Sequence, residues 1–501
     1  MLVIMTQNGG GMETATERAR IIFGNDVGDK AYADACKTKE KFAKKFGDDQ
    51  SRCHHLVSRD VPVIGERLGV RGLALAQSDD ALAFPDDESP LIVGNIRMGF
   101  GHYRISMAIA SAAHALGLTP YWFDLASFEG TTASQVIAYQ NELYSLGSRL
   151  SQRIAAFDRL YWEPLNSEGF RQLTYNASDQ KTMELAVPLF ADLPRDIPYV
   201  ATHVWPAQAA VHAGLTHVVN AIPDNWPMAL HLAEGSIHTV QTPSAFLGYH
   251  QLRGMDKKRQ LKPMPLDAIR QCGHYVDHEL VANIESDCAS RRKRLLGGKP
   301  VRWLISVGGA GAQQDLFAAI ISYLLPYVAT DQATLLVNVG DHKDVWEALE
   351  RHVEGLADVA KRHFGNFEEV AQLADEALDG ELTGVHAFCD DDIFAAVYSS
   401  NLLMRCSDVL VTKPSEFSFY PVPKLMIHRV GGHEAWGAIR AAEVGDGTYE
   451  IDDTNEVLAM IDSFQYEREL VAAMCDNIER ANRIGIYDGA YEVVRLAVSG
   501  A

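Results

Sequence analysis

Two distant stretches of the chain share one pattern: an apolar run, a glycine turn and a helix. The first is LIVGNIRMGFGHYRISMAIASAAHALG at 91–117, and the second is VRWLISVGGAGAQQ at 301–314. A buried strand that passes through a glycine-rich turn into a helix is the opening unit of a doubly wound α/β domain. A chain of 501 residues is also too long for one ordinary core. The pattern therefore predicts two Rossmann-like domains.

Short runs rich in β-branched residues continue the pattern through both halves. None alternates strictly in polarity, which is typical of strands covered by helices on both faces. The predicted strands are 91–96, 119–124, 197–203, 216–222 and 237–242, then the start of 301–314, 333–341, 382–390, 407–413 and 423–430. We predict a mainly helical N-terminal extension at 1–88, α/β domains at 89–288 and 289–455, and C-terminal helices at 456–501 that pack back across the domains.

Charge and cysteine usage exclude several classes of protein. The net charge of −21 argues against a nucleic-acid binder, because phosphate binding needs clustered positive charge. The basic runs at 37–45, 253–262 and 291–299 are solvated faces or contacts to an anionic surface. Seven cysteines without a Cys-x-x-Cys pair indicate neither a zinc ribbon nor a disulfide framework. Since no secretory leader or membrane-spanning run is visible, a cytoplasmic protein is expected.

The glycine turn of the second half is a candidate phosphate site. Gly308, Gly309 and Gly311 allow a tight bend that presents backbone N–H groups to an anion at a helix N-terminus. No Gly-Lys-Ser/Thr follows, so the turn is not the P-loop of an ATPase. The alternative is a tight turn without a ligand.

Three further features of the second half suit a nucleotide. Lys413 follows a strand, where its ammonium could neutralise a diphosphate, or it is a surface lysine. Glu434, in a second glycine turn, could accept hydrogen bonds from ribose hydroxyls, or it caps the helix. Phe388 ends a strand whose backbone groups could meet a base edge. Together they predict a nucleotide site at one sheet edge.

In this order, the motifs resemble the donor domain of the glycosyltransferase-B (GT-B) superfamily, most closely the monogalactosyldiacylglycerol synthases and the lipid II-forming N-acetylglucosaminyltransferases. The glycine turn at 308–311 is followed by an Asp-x-x-x-Thr-Lys strand end at Asp408, Thr412 and Lys413, and then by a Gly-x-Glu turn at Gly432 and Glu434. The resemblance covers 91–450. It implies two domains that face each other across a cleft and bind a nucleotide sugar, with a UDP-sugar as the first candidate, without a metal or other cofactor.

His102 matches a histidine that this superfamily carries in the first turn of its N-terminal domain. Gly99, Gly101 and His102 resemble the family's Gly-Gly-His, with Phe100 in place of one glycine. An imidazole titrates near neutral pH. It can accept the proton of an attacking hydroxyl, or stabilise the negative charge of the leaving diphosphate. A histidine here could instead only cap the helix.

Other side chains of the first half extend this candidate site. Asp224, at a strand end, could orient the acceptor or share the role of base, or it forms a turn. Trp226 and Trp205 could line an acceptor pocket, or pack in the core. His274, His278 and Glu279 have a metal-like spacing, but they fall in the expected linker and are interpreted as structural or solvated.

The loop after Lys413 departs from the superfamily's pattern. The family has a glycine-rich loop there, whereas this chain has 414–417, PSEF. Ser415 can donate a hydrogen bond to a diphosphate, but Glu416 would repel one unless it points elsewhere or is neutralised. The asparagine that the family has after its ribose-binding glutamate is Gly437.

The sequence thus predicts an inverting, metal-independent glycosyltransferase with an unknown acceptor, either a lipid or a small molecule, and allows contact with the inner face of a membrane. Alternatives are a sugar-nucleotide epimerase or hydrolase on the same fold, and a catalytically silent sugar-nucleotide-binding protein. The altered loop favours the silent alternative, and no cluster of acids and bases that an epimerase would need is evident from the sequence.

Overall fold

The structure is a computed structural model that describes the chain from residue 18 to residue 500, except residues 78–83, 85–88, 155–156, 163, 309–310, 312 and 430. Its strands are β1 Ile21–Ile22, β2 Asn25–Asp26, β3 Leu56–Asp60, β4 Arg71–Leu75, β5 Pro90–Asn95, β6 Thr119–Asp124, β7 Tyr199–Ala201, β8 Val218–Ala221, β9 Ile237–Val240, β10 Ile269–Gln271, β11 Val301–Ser306, β12 Ala333–Asn338, β13 Ala360–Phe364, β14 Gly384–Cys389, β15 Val409–Thr412 and β16 Lys424–Met426.

The helices alternate with these strands. They are α1 Asp29–Phe46, α2 Ile64–Leu68, α3 Gly101–Ala115, α4 Thr132–Arg153, α5 Leu173–Met183, α6 Val204–His212, α7 Pro243–His250, α8 His278–Ala282, α9 Ile284–Leu296, α10 Gln314–Ala329, α11 Lys343–His352, α12 Leu356–Val359, α13 Phe367–Asp379, α14 Ile393–Cys406, α15 Ala435–Val444, α16 Thr454–Tyr466, α17 Arg468–Arg483 and α18 Gly489–Ser499.

Two large sheets organise the chain. The first has the strand order β10-β9-β8-β7-β5-β6-β4-β3, and the second has the order β13-β14-β12-β11-β15-β16. All strands of the second sheet run parallel, and in the first only β3 is antiparallel to its neighbour. Every residue of β11 and β12 is buried, as expected for strands with helices on both faces. The predicted fold class, α/β with two doubly wound sheets, is confirmed.

The predicted helical character of the N-terminal extension is not confirmed. This segment contains α1, but it also contributes β3 and β4, and β4 pairs with β6 of the first sheet. Leu56 and Leu73 on these strands are buried in the core of the first domain. The strands were missed because their few apolar residues lie among charged ones, and only the tertiary packing shows that they cover the sheet edge.

The C-terminal helices contact both domains. Helix α18 packs on α3 of the first domain, and α17 packs on α9, which leads into the second. A buried ion pair lies beneath this contact: Lys424 Nζ is 2.8 Å from Asp446 Oδ2, and the Tyr487 hydroxyl donates to the same carboxylate at 2.9 Å. Both charged side chains are essentially inaccessible to water, at 0% and 1% exposure.

A buried carboxyl group in α5 makes stability depend on pH. Burial raises the pKa of Asp179 to about 7. Because the folded state holds its proton more tightly than the unfolded state, stability falls as pH rises from about 4 to 7 and stays lower above that range. We expect Asp179→Asn to stabilise the protein at pH 8, by at most about 4 kcal/mol, and to leave stability at pH 4 nearly unchanged.

Urea denaturation at the two pH values, followed by tryptophan fluorescence, measures this difference. Asp196→Asn is the matched control, since Asp196 is exposed. Equal effects of the two substitutions at pH 8 would contradict the prediction.

Candidate active site

The loops of the predicted site lie where the strand order of each sheet reverses. In the first sheet β5 lies between β6 and β7, and in the second β11 lies between β12 and β15. Connections leave such a strand toward opposite sides, so a crevice opens at its carboxyl end, where ligands bind in open α/β sheets. His102 follows β5, Gly308 follows β11, and Lys413 follows β15. The fold therefore places these three predicted residues after the carboxyl ends of central strands of the two sheets.

His102 lies in the first turn of α3 with its ring held in one orientation. Its Nδ1 is 2.7 Å from the carbonyl oxygen of Thr202, so Nδ1 carries the proton and donates it. Burial lowers the pKa of His102, while the Thr202 carbonyl and the charges of Asp224 and Glu416 oppose the shift. The ring is thus neutral at pH 7 with its lone pair on Nε2, which suits a general base.

Further titratable side chains of the first domain surround His102. The ring of His203 packs edge-on against that of His102, with centroids 4.7 Å apart. Burial lowers the pKa of His203 well below its ordinary value, and the imidazoles of His102 and His231 add to this effect. His231 Nε2 lies 3.4 Å from Asp224 Oδ2. Asp224 therefore belongs to a cluster of histidines.

Lys413 and Glu434 form an ion pair beside the glycine turn of the second domain. The turn packs closely on the lysine, since a β-carbon on Gly308 would lie 3.0 Å from Lys413 Cε. Glu434 Oε2 accepts a hydrogen bond from the Gly431 N–H at 3.2 Å. Ser415, half-buried, lies in the loop that follows Lys413. A cation, a carboxylate and a glycine turn thus meet at the carboxyl edge of the second sheet.

Glu416 joins the two halves of the site. A β-carbon on Gly101 would lie 3.3 Å from Glu416 Oε2, so the turn before His102 touches the loop after Lys413. Glu416 Oε1 lies 3.4 Å from Arg104 Nε, and the Arg104 guanidinium covers the ring of Phe417 at 3.9 Å. Arg104 is itself buried. The carboxylate that departs from the family pattern therefore points toward the first domain, where an arginine partly neutralises it.

Two more contacts hold the domains together at the same turn. The ring of Phe100 lies against Gly340, in the loop after β12, and no side chain could stand between them. Arg97 Nη2 forms an ion pair with Asp341 Oδ2 at 2.8 Å. The first turn of the N-terminal domain thus contacts two loops of the second sheet, those after β12 and β15.

An aromatic pair spans the domains beside Asp224 and Glu434. The indoles of Trp226 and Trp436 are 5.3 Å apart and tilted by 32°, and the Arg171 guanidinium lies 4.4 Å from the centroid of the Trp226 ring. Trp205, the other predicted tryptophan, is buried in the core of the first domain. Of the two predicted acceptor residues, only Trp226 faces the second domain.

The remaining predicted glycines lie in the turns. Gly99 has a φ of +78°, a conformation that favours glycine. Gly311 donates its N–H to the carbonyl of Gly308 at 2.9 Å, and Gly432 is an exposed residue at the start of a short turn of helix. Gly309 lies outside the described residues.

Phe388 is buried within the second sheet. Its carbonyl accepts the N–H of Val339 at 3.0 Å, and its ring stacks on His363. Asp408, in the strand-end motif, is also buried and pairs with Arg294 at 2.8 Å. The Phe388 carbonyl is thus occupied by sheet pairing.

The linker residues with metal-like spacing do not converge. His274 is buried, with Nδ1 2.9 Å from the Phe419 carbonyl and Nε2 3.0 Å from Arg440 Nε, whereas His278 is exposed. Among the described residues, two groups have potential ligand atoms close enough to hold a metal ion, and neither is in the linker. They are Cys53 with His55 and Asp192, and His428 with Glu450 and Asp452.

Sequence reasoning missed His203, His231, Arg104 and Trp436. His203 is the last residue of the predicted strand 197–203, so the rule that identified Lys413 at the end of 407–413 could have found it. No local signal distinguishes Arg104 from an exposed helical arginine, because its partners lie about 300 residues away.

Each half of the chain matches a sequence profile of a domain of unknown function. Residues 21–251 match the sequence profile of a domain of unknown function, DUF6937, and residues 264–498 match that of another, DUF6938. No curated protein matches the sequence. Among the described residues, no helix has both the length and the apolar character needed to cross a membrane.

Solved structures with some similarity include two enzymes. One is a UDP-GlcNAc 2-epimerase from Neisseria meningitidis bound to UDP-GlcNAc, with 10% identity, a TM-score of 0.42, and coverage of 82% of this chain and 100% of the epimerase. The other is a UDP-forming α,α-trehalose-phosphate synthase from Burkholderia vietnamiensis, with 12% identity, a TM-score of 0.42, and the same coverage of both chains. Neither is one of the two enzyme groups named by the sequence resemblance, so that finer resemblance stays a prediction.

Proposed function

We propose that the crevice binds a nucleotide sugar, with a UDP-sugar as the first candidate, and transfers the sugar to an acceptor hydroxyl. The observation that carries the proposal is the contact between the Gly101–His102 turn and the 413–416 loop. It sets a neutral imidazole of one domain opposite an ammonium and a carboxylate of the other. The imidazole could accept a proton, the ammonium could pair with a diphosphate, and the carboxylate could accept hydrogen bonds from ribose hydroxyls.

In the absence of ligand, Lys413 and Glu434 neutralise each other. A nucleoside diphosphate offers a partner to each of them: its phosphate oxygens accept from the Lys413 ammonium, and its ribose hydroxyls donate to the Glu434 carboxylate. The sequence prediction that the glycine turn at 308–311 contacts the diphosphate is part of this proposal. The ligand would thus replace one ion pair by two charge-assisted contacts.

His102 supplies the base for the transfer step. The acceptor oxygen bonds to the anomeric carbon while the bond from that carbon to the diphosphate oxygen breaks, and its electron pair leaves with the diphosphate. The acceptor proton moves to Nε2, because Nδ1 is already protonated against Thr202. Lys413 and Ser415 stabilise the charge of the leaving diphosphate.

The diphosphate proposal predicts a specific binding defect. We expect Lys413→Met to weaken UDP binding by about 10- to 100-fold, since a hydrogen bond to a charged group contributes about 1.5–3 kcal/mol. Isothermal titration calorimetry with UDP measures the change, and Lys343→Met, on a helix after β12, is the control that should bind as the unsubstituted protein does. Unchanged affinity in Lys413→Met would rule out this binding mode.

One observation favours epimerisation as a second candidate. His102, His203, His231, Asp224 and Glu416 form the cluster of acids and bases that the sequence did not reveal. Epimerisation at a C–H centre removes a proton from one face of the sugar and returns one to the other, which needs several such groups. Incubation with UDP-sugars in D2O separates the candidates: an epimerase places deuterium on a sugar carbon, and a transferase does not.

The effect of an acceptor on UDP release distinguishes transfer from hydrolysis. UDP release from the UDP-sugar should accelerate when an acceptor is added if the protein is a transferase, and should be independent of the acceptor if it is a hydrolase. UDP binding without turnover of any sugar donor would instead support the silent, sugar-nucleotide-binding alternative.

A further inference from the structure

A cavity of about 490 Å³ lies between the two domains at the other end of α3 from His102. The helix is 15 residues long, so its ends are about 22 Å apart. Helices α2 and α3 of the first domain, the linker helix α8 and helix α14 of the second domain form the walls. The charged and aromatic polar residues of the lining are Arg67, His114, His278, Glu279, Tyr398 and Arg405, and Ser111 and Asn283 also line it.

The carboxylate of this cavity is already satisfied. Glu279 Oε1 pairs with Arg405 Nη1 at 3.2 Å, and Glu279 Oε2 accepts from the Tyr398 hydroxyl at 2.6 Å. Arg405 is also held by Asp287 at 3.2 Å. The Glu279 charge therefore does not serve a ligand, and Arg405 is fixed in place.

The other hydrogen-bonding side chains of the cavity have fewer partners. Arg67 makes no ion pair with any residue that the structure describes; its guanidinium lies 5.5 Å from the centroid of the Phe367 ring. His278 uses Nδ1 for a contact of 2.6 Å with the Tyr491 hydroxyl, which leaves Nε2 for another partner. His114, exposed at the end of α3, lies over Gly69.

We propose that this cavity binds a small oxyanion, either a phosphate ester or a carboxylate. Such a ligand would accept hydrogen bonds from Arg67 and from the two histidines, and would supply the negative charge that Arg67 lacks. The volume is in the range of small-molecule sites. Glu279 and Asp287 offset the charge of Arg405, so the guanidinium of Arg67 is the group whose charge an anion would offset. The site is separate from the crevice and does not depend on the function proposed for it.

The ligand would contact helices that also carry crevice groups. Helix α3 bears His102 and Arg104. Arg104 Nη1 donates hydrogen bonds to two groups of α14, the Val397 carbonyl and Asn401 Oδ1, each at 3.1 Å. An anion that touches Arg67 of one domain and lies beside Arg405 of the other would therefore bind one interdomain arrangement in preference to others.

Isothermal titration calorimetry on the full chain, at constant ionic strength, tests the proposal with inorganic phosphate and with citrate as separate probes. We expect saturable binding of at least one probe, weakened about 10-fold or more by Arg67→Gln. Stronger binding of phosphate indicates a phosphate ester as the ligand, and stronger binding of citrate indicates a carboxylate. Arg483→Gln, at an exposed position, should bind as the unsubstituted protein does.

Lys413→Met distinguishes this cavity from the crevice. Loss of anion binding in Lys413→Met with retention in Arg67→Gln would place the anion in the crevice and overturn the proposal, as would the absence of saturable binding of either probe. If Arg67→Gln fails to fold, His114→Gln provides the same comparison, because His114 is exposed. A defect in UDP binding alone concerns the crevice and leaves this inference unaffected.

Discussion

Replacing His102 by asparagine should lower turnover of the UDP-sugar by about 100- to 10,000-fold, the usual contribution of a general base. The asparagine amide can still donate to the Thr202 carbonyl, as Nδ1 does, but it has no group that takes a proton at the position of Nε2. UDP affinity, measured by calorimetry, should change little, because Lys413 and Glu434 carry the nucleotide contacts in the proposed binding mode.

The pH dependence gives an independent check. Burial lowers the pKa of His102, so the base should take up its proton only at a pH below the ordinary range of an imidazole, and the acid limb of kcat/KM should lie in that lower range. Since the Glu416 charge raises this pKa, Glu416→Gln should move the acid limb to still lower pH. Full activity in His102→Asn, or an acid limb that Glu416→Gln leaves in place, would contradict the role of His102 as base.

Replacing Lys424 by methionine should lower the free energy of unfolding by about 3–5 kcal/mol, the usual cost of leaving a buried charge without its partner. The Asp446 carboxylate would keep the hydrogen bond from Tyr487 but lose the ammonium 2.8 Å away. The carbonyls of Tyr420 and Val422, to which Lys424 donates at 2.8 and 3.0 Å, would lose a donor as well.

Urea denaturation followed by fluorescence measures this loss. The double variant Lys424→Met with Asp446→Asn should be more stable than the single one, because it removes the uncompensated charge as well as the partner. Lys361→Met, at an exposed position on β13, is the matched control. A double variant no more stable than Lys424→Met would show that lost packing, and not the buried charge, dominates the effect.

Local patterns predicted much of the fold because they report on single elements. Runs without polar alternation gave most strands of both sheets to within a few residues, since a strand covered on both faces must be apolar along its length. Four strands of these two sheets were missed for a shared reason. Each of β3, β4, β10 and β13 includes a charged residue, and these strands lie at or next to sheet edges.

For the candidate site too, the sequence predicted single residues but not the contacts between them. Sequence alone identified the individual groups: His102 after one glycine turn, and Lys413 and Glu434 after strands of the other half. It also marked Glu416 as a difficulty for phosphate binding, because a carboxylate repels a diphosphate wherever the two are close. The contact between Glu416 and Arg104 could not be predicted from the sequence, since the two residues are 312 positions apart in the chain.

The amino-acid sequence by itself therefore determined two α/β domains and the kinds of side chain at their strand ends. The spacing of apolar residues and the glycine turns are local patterns of a few residues, and they can be recognised without knowing the fold. Only the tertiary structure decided that these strand ends face each other, that His203 and His231 join His102, and that Trp226 meets Trp436. Those contacts depend on how whole domains pack, and packing is set by surfaces assembled from distant parts of the chain.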